Sequence, residues 1–252
     1  TYNSKKINVN HAGTDMRFLT AYLACTEGEW ILTGSDSLKK RPIKDLVDCL
    51  KSLGAQISYL EKEGFPPLQI IGKKLEGGNI SIKGNISSQY ISAILLVAPY
   101  LNNKLSICIE GEIASKPYIN MTINLMKQFG VNVNWVNENI VVEPSEYKTK
   151  QNDFSIESDW SSVSYWYSIA ALSNDCELIL NEFSTNSLQA DSVLPKIYSE
   201  LGVNTKFNNN QIILTKNKTN LTNLNYDFSN CPDIAQTIAA TCVGLNITCN
   251  LT

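Results

Sequence analysis

Leu46-Val-Asp-Cys-Leu-Lys-Ser-Leu53-Gly54-Ala55-Gln56-Ile-Ser-Tyr-Leu60 changes periodicity at a single glycine. Its apolar residues first recur at helical spacing and then alternate with polar ones, so a helix is predicted to give way to a strand. Gly54 stands where a helix C-cap glycine belongs, because glycine enters the left-handed conformation at little cost. The pattern returns at Ile123–Phe129-Gly130-Val131 with Asn132–Val136, and at Val193–Leu201-Gly202-Val203 with Asn204–Phe207. A further strand follows each time, at Leu68–Ile71, Asn139–Val142 and Gln211–Leu214. Another precedes each helix, at Trp30–Thr33, Leu105–Ile109 and Glu177–Leu180.

A second helix recurs in step. Gly13-Thr14 opens Met16–Ala24, Ser87-Ser88 opens Tyr90–Val97, Ser161-Ser162 opens Val163–Leu172, and Pro232-Asp233 opens Ile234–Leu245. The openings at 13, 87, 161 and 233 are 74, 74 and 72 residues apart. Two independent landmarks thus give one period, the mark of a repeat. The unit reads strand, helix, strand, helix, strand, strand, and the chain holds just over three copies of this α/β module. It starts just ahead of one such helix and stops inside the strand after the fourth. A unit cut there leaves unpaired sheet edges, so the expectation is a segment of a longer protein, truncated at both ends, or one completed by a partner.

With 252 residues, 43% of them hydrophobic and 18% charged, the chain can bury a sizeable core. A net charge of −3 and a pI near 5.3 speak against a dedicated nucleic-acid binder. The longest apolar run, Tyr90–Leu101, is broken by Ser92 and Pro99 and falls short of the roughly 20 residues of a membrane helix. Neither nucleic acid nor membrane is therefore an expected partner. Seven scattered cysteines with no C-x-x-C pair, beside one histidine, argue against a Cys/His metal site. They read as reduced core thiols of a cytoplasmic protein.

Of the 21 basic residues only Arg17 and Arg41 are arginines. Lysine fills the surface, so the two arginines are candidates for planar, bidentate recognition of carboxylate or phosphate. Arg17 is read into the first turn of its helix, where a cation opposes the macrodipole unless an anion sits there. Arg41, before Pro42, is read as the first position of the next helix, with a solvated basic face at residues 39–41 the alternative. The helix openings themselves present free backbone N–H groups suited to anions. Small polar residues there also serve as N-caps, and both readings stand at each opening. Asp233 is either a cap or a proton acceptor for a substrate hydroxyl. Tyr118 either packs or offers its hydroxyl to a ligand. His11 is read as structural, close to the Gly13 turn, with a role as base the alternative.

His11-Ala-Gly-Thr-Asp-Met-Arg17 resembles the N-A-G-T-A-M-R signature of the 5-enolpyruvylshikimate-3-phosphate synthase family, and Leu32-Thr-Gly34 through Arg41-Pro-Ile43 resembles its L-T-G…R-P-I segment. Gly84–Gln89, Ser115–Tyr118, Ser158–Ser162 and Pro232–Ala235 match further motifs of that family in the same order. The resemblance implies a two-lobed, inside-out α/β barrel, with residues 1–157 completing one lobe, 158–252 beginning the other, and ligands in the cleft between lobes. It implies transfer of the enolpyruvyl group of phosphoenolpyruvate to the 5-hydroxyl of shikimate 3-phosphate, with loss of phosphate and without metal or organic cofactor. Ser87, Ser88, Ser115 and Tyr118 would bind shikimate 3-phosphate, and Gln89 would lie between the two substrates. Gly13 and Arg41 would contact phosphoenolpyruvate, Arg17 would support that site, and Asp233 would accept the hydroxyl proton. A full-length member is expected to be a monomer.

Asp15 departs from the family's usual alanine and is expected to pair with Arg17 or Lys39, or to weaken phosphoenolpyruvate binding. His11 replaces the more frequent asparagine. The family's N-terminal Lys and Ser/Arg contacts, its Lys-Glu-x-Asp-Arg motif and its final Arg and Lys are missing. Purified as it stands, the chain is expected to release negligible phosphate from the two substrates. The competing readings are transfer to UDP-N-acetylglucosamine, whose enzymes carry a cysteine in the loop matching Gly34–Lys40, and a non-catalytic anion-binding domain.

Overall fold

The computed structural model describes residues 5–85, 87–113, 115–148 and 153–252. The first module comprises β1 (Lys5–Asn8), α1 (Gly13–Cys25), β2 (Gly28–Thr33), α2 (Lys44–Ser52), β3 (Gln56–Tyr59) and β4 (Leu68–Gly72). The second repeats it as β5 (Gly78–Lys83), α3 (Ser88–Val97), β6 (Leu105–Glu110), α4 (Lys116–Gln128), β7 (Val133–Val136) and β8 (Asn139–Val142). A third supplies α5 (Trp160–Leu172), β9 (Glu177–Asn181), α6 (Leu194–Glu200), β10 (Val203–Asn208) and β11 (Gln211–Lys216). A fourth begins with β12 (Asn223–Tyr226), α7 (Ala235–Gly244) and β13 (Thr248–Leu251).

Sheet order is where the repeat shows most clearly. The first two modules form sheets β1-β2-β4-β3 and β5-β6-β8-β7, the same pattern twice. The third, β10-β11-β9, is that pattern without its leading strand, and β12-β13 is its leading parallel pair. In module one β1 and β2 are parallel, and β4 lies antiparallel to both β2 and β3. Strands β1, β2 and β3 therefore share one direction, and α1 and α2 are the crossovers that return the chain between them. Both helices must start at the carboxyl end of that sheet, the usual place for a ligand in such folds. Module two places α3 and α4 in the same way.

The glycines behave as their positions predict. Gly54, Gly130 and Gly202 have φ of +96°, +81° and +83°. Beside Gly54 the Ala55 N–H reaches Leu50 O (2.9 Å) and the Gly54 N–H reaches Lys51 O (2.9 Å), a Schellman closure of α2.

The chain divides into two compact units, Thr1–Lys150 and Gln151–Thr252. The division lies a little ahead of the 157/158 boundary read from sequence. Glu157 and Ser158 bond within the second unit, Ser158 N–H to Glu182 O (2.7 Å) and the Gln189 amide to Glu157 Oε1 (2.9 Å). Within the first unit α3 is the buried helix, packed against α1, α2 and α4. Tyr90, Ile91, Ser92, Ala93, Ile94, Leu95 and Val97 of α3 are all buried, as expected of a helix apolar on every side. β5 and β6 bury Ile80, Ile82, Leu105, Ile107 and Ile109 on one face while Asn79, Ser81 and Lys83 face out. Ser92 and Thr122 meet at 2.8 Å, tying α3 to α4. The second unit has its own core around Trp160, Tyr167, Tyr198, Ile212 and Ile238. Among the described residues no helix is long and apolar enough to cross a membrane.

Candidate anion site

At the start of α1 the chain turns through Asn10, φ +50°, and enters the helix at Gly13 with Ala12 as N-cap. A Cβ on Gly13 would stand 3.0 Å from Arg41 Nη1 and 3.2 Å from Arg17 Nη1, so both guanidinium groups close on one point above that residue. Met16, Leu38, Pro42 and Ile43 line the same narrow pocket. Among the described residues neither arginine pairs with a carboxylate. Arg17 instead donates to Gln89 Oε1 (2.5 Å), and the Gln89 amide donates to Thr14 Oγ1 (3.1 Å). Two helix starts, one from each of the first two modules, are thus joined beside two cations that form no ion pair among the described residues. Such an arrangement suits a small dianion.

Two details differ from the sequence reading. Arg41 is not in a helix: it has φ −89° and ψ 126°, after a 3-10 turn at Leu38–Lys40, and α2 begins only at Lys44. Pro42 disfavours helical geometry for the residue before it, which outweighs its own fitness for a first helical turn. Arg17 lies one residue beyond the first turn of α1, and its side chain reaches back, as helical side chains lean toward the N-terminus. Asp15 pairs with neither expected partner. Lys39 bonds Glu61 (3.0 Å), Arg17 bonds Gln89, and Asp15 is an exposed carboxylate in the first turn of α1, where the macrodipole favours it. His11 Nδ1 contacts Ser35 Oγ (2.9 Å) and Ser37 Oγ (3.2 Å), an exposed tie between the Gly13 turn and the loop leading to Arg41.

The caps separate the openings. Ala12, Ser87 and Ser115 precede α1, α3 and α4, and none makes a side-chain capping bond. Ser88 is buried, and among the described residues the hydroxyls of Ser87, Ser88 and Ser115 form no hydrogen bond. Ser115 is held at φ +54°, unusual for a residue with a Cβ. Tyr118 lies in the first turn of α4, part-exposed, with its N–H on Ser115 O (3.1 Å). At the opening of α5 the protein supplies its own anions. Asp159 takes the Ser161 N–H (2.9 Å) and the Ser162 hydroxyl (2.5 Å), and buried Asp191 takes the Ser161 hydroxyl. The opening read at Ser161-Ser162 is therefore closed. Asp233 sits exposed in a 3-10 turn, Pro232–Ile234, whose cap is Cys231, and the cap position of α7 falls to Ile234.

These caps yield a paired expectation. Asp159→Ala should cost the second unit about 1–2 kcal/mol in chemical unfolding, whereas Ser87→Ala, which removes no capping bond, should cost nearly nothing. Gly13→Ala should leave the fold intact, because its added methyl meets only the ends of two flexible side chains. It should push the guanidinium groups apart and weaken anion binding several-fold by calorimetry.

The sequence reading marks Thr14, beside Gly13, as a donor at the opening of α1 but not its bond to Gln89, 75 residues away, and it passes over Tyr90. Tyr90 reads as the first residue of an apolar run. All seven thiols are free, and burial raises Cys25, Cys49, Cys231 and Cys242 to about 11, which keeps them protonated at neutral pH.

The family model of EPSP synthase (3-phosphoshikimate 1-carboxyvinyltransferase) matches residues 2–250. A 3-phosphoshikimate 1-carboxyvinyltransferase of Bacteroides fragilis is 46% identical over 248 residues, covering 98% of this chain and 60% of that protein. One from Vibrio cholerae serotype O1 is 39% identical over 234 residues, covering 92% of this chain and 54% of its own length. The chain thus spans little more than half the length of these relatives. The solved EPSP synthase of Acinetobacter baumannii superposes with a TM-score of 0.72 at 21% identity, over 98% of this chain and 56% of that one. Repeated modules, the paired arginines over Gly13 and a family match along almost the whole chain agree: this chain belongs to the EPSP synthase family.

Proposed function

We propose that the chain is the part of a 3-phosphoshikimate 1-carboxyvinyltransferase that holds the anionic groups of phosphoenolpyruvate and shikimate 3-phosphate. The observation that carries this reading is the convergence of Arg17 and Arg41 on Gly13 at an uncapped helix start. Phosphoenolpyruvate brings a phosphate and a carboxylate, and two forked guanidinium groups beside free N–H donors neutralise such charge. The hydroxyls of Ser87, Ser88 and Ser115, which form no hydrogen bond among the described residues, receive the phosphate and hydroxyls of shikimate 3-phosphate together with Tyr118. Gln89, already fixed on Arg17 and Thr14, lies between the two ligands.

In the reaction the 5-hydroxyl oxygen bonds the central carbon of phosphoenolpyruvate while the methylene carbon gains a proton. Phosphate then leaves as a methyl proton is lost and the double bond re-forms. The hydroxyl proton needs an acceptor, and for Asp233 that role rests on the family resemblance. The Gly34–Lys40 loop holds no cysteine, which sets the chain apart from the UDP-N-acetylglucosamine enzymes.

Calorimetry with shikimate 3-phosphate followed by phosphoenolpyruvate tests the reading. Both should bind, and UDP-N-acetylglucosamine should not. Binding of neither phosphorylated ligand points to a scaffold, and preference for the UDP-sugar to the sister enzyme. The 252-residue chain alone should show no measurable phosphate release; robust turnover by it would show that the missing motifs are dispensable.

A further inference from the structure

Tyr90 touches Arg17 and the residue that follows Arg41. Its ring is 5% exposed and carries the Arg17 guanidinium 5.6 Å from its centroid. Its hydroxyl donates to Pro42 O (2.6 Å), the carbonyl just beyond Arg41. The extended segment at Arg41 is otherwise anchored by Arg41 N–H on Leu38 O (2.9 Å) and Ile43 N–H on Gly64 O (2.9 Å). Neither contact reaches α1 or α3. The phenol is therefore a direct hydrogen-bonded link from α3 to the segment that bears Arg41, on the side away from the His11 tie. Burial, the main influence on Tyr90, raises its pKa, so the phenol remains a donor at neutral pH.

We propose that Tyr90 is a positioning residue that sets the separation of the Arg17 and Arg41 guanidinium groups, its ring seating Arg17 and its hydroxyl holding the backbone at Pro42, next to Arg41. The role rests on the reading of this pocket as an anion site. A phosphate bridged by two arginines needs both forks at a fixed spacing, and two long side chains on separate elements do not keep it unaided. Phenylalanine keeps the ring under Arg17 but loses the hydroxyl's bond to Pro42 O and its polar contact with Arg17; leucine removes the ring as well.

The chain contains only two arginines, so a nitrogen-15 labelled sample gives two side-chain Nε–H signals, assigned with Arg17→Lys. Tyr90→Phe should shift or broaden the Arg41 signal, move that of Arg17 less, and weaken binding of phosphoenolpyruvate and inorganic phosphate about fivefold. Tyr90→Leu should disturb both signals and weaken binding about tenfold or more. Should Tyr90→Leu fail to fold, Tyr90→Phe, which keeps the ring, decides alone. Parent-like arginine signals and affinity in Tyr90→Phe overturn the proposal. If the parent chain binds neither anion, the reading of the site fails, while the arginine signals still report whether Tyr90 positions them.

Discussion

Replacing Arg41 by lysine should lower the affinity of the 252-residue chain for phosphoenolpyruvate by about ten- to a hundredfold while leaving its unfolding midpoint unchanged. The formal charge is the same, so the loss measures geometry. A guanidinium offers two parallel donors to one phosphate or carboxylate face, whereas an ammonium offers a hydrated point charge on a more mobile stem. Hydrogen bonds to charged groups contribute about 1.5–3 kcal/mol each, which gives the stated range. Stability should not follow, because Arg41 is exposed and forms no ion pair among the described residues. Calorimetry alongside urea unfolding separates the two quantities. An affinity unchanged within twofold would mean that the pocket over Gly13 receives no dianion.

The largest effect on stability should come from Gly72→Ala. Gly72 ends β4 opposite Gly28 of β2, directly under the last turn of α1. A Cβ there would stand 1.7 Å from Thr26 O and 2.3 Å from Leu23 O, both backbone atoms with nowhere to go. Next to it the Lys73 N–H donates to Ala24 O (3.0 Å), so the helix end and the strand end are fastened together. Relief requires α1 to lift from its sheet, at a cost of about 3 kcal/mol or more. Trp30 donates to Thr26 O (3.2 Å) and reports on this junction by fluorescence. Unfolding of the first unit at clearly lower urea is expected, and amide exchange should show β2 and β4 losing protection together. Parent-like unfolding of the variant would mean that α1 does not seat on β4 as described.

The module was legible in the sequence because its landmarks have local causes. Gly54, Gly130 and Gly202 mark helix ends because their backbone turns left-handed, and the alternation in β8 or β11 follows from one-sided burial. Strand order was not legible. The fourth strand of each module slips between its second and third, a long-range pairing that no local pattern encodes. The site residues Gly13, Arg17, Arg41 and Gln89 could be singled out by type and position. Their mutual contact could not, since Thr14 and Gln89 lie 75 residues apart. Arg41 was misplaced because Pro42 sends two local signals, and its restriction on the preceding residue prevailed. The opening at Ser161 looked like the others until Asp191, 30 residues on, was seen to occupy its hydroxyl.

The most direct test is amide and arginine shift mapping while phosphoenolpyruvate is added to the labelled chain. If successive modules aim open helix starts at one dianion, the shifts concentrate at Gly13, Thr14, both arginine side chains and the Gln89 amide, and shikimate 3-phosphate extends them to Ser87, Ser88 and Ser115. Shifts confined to surface lysines such as Lys39 and Lys40, with Gly13 and the arginines unmoved, would contradict it.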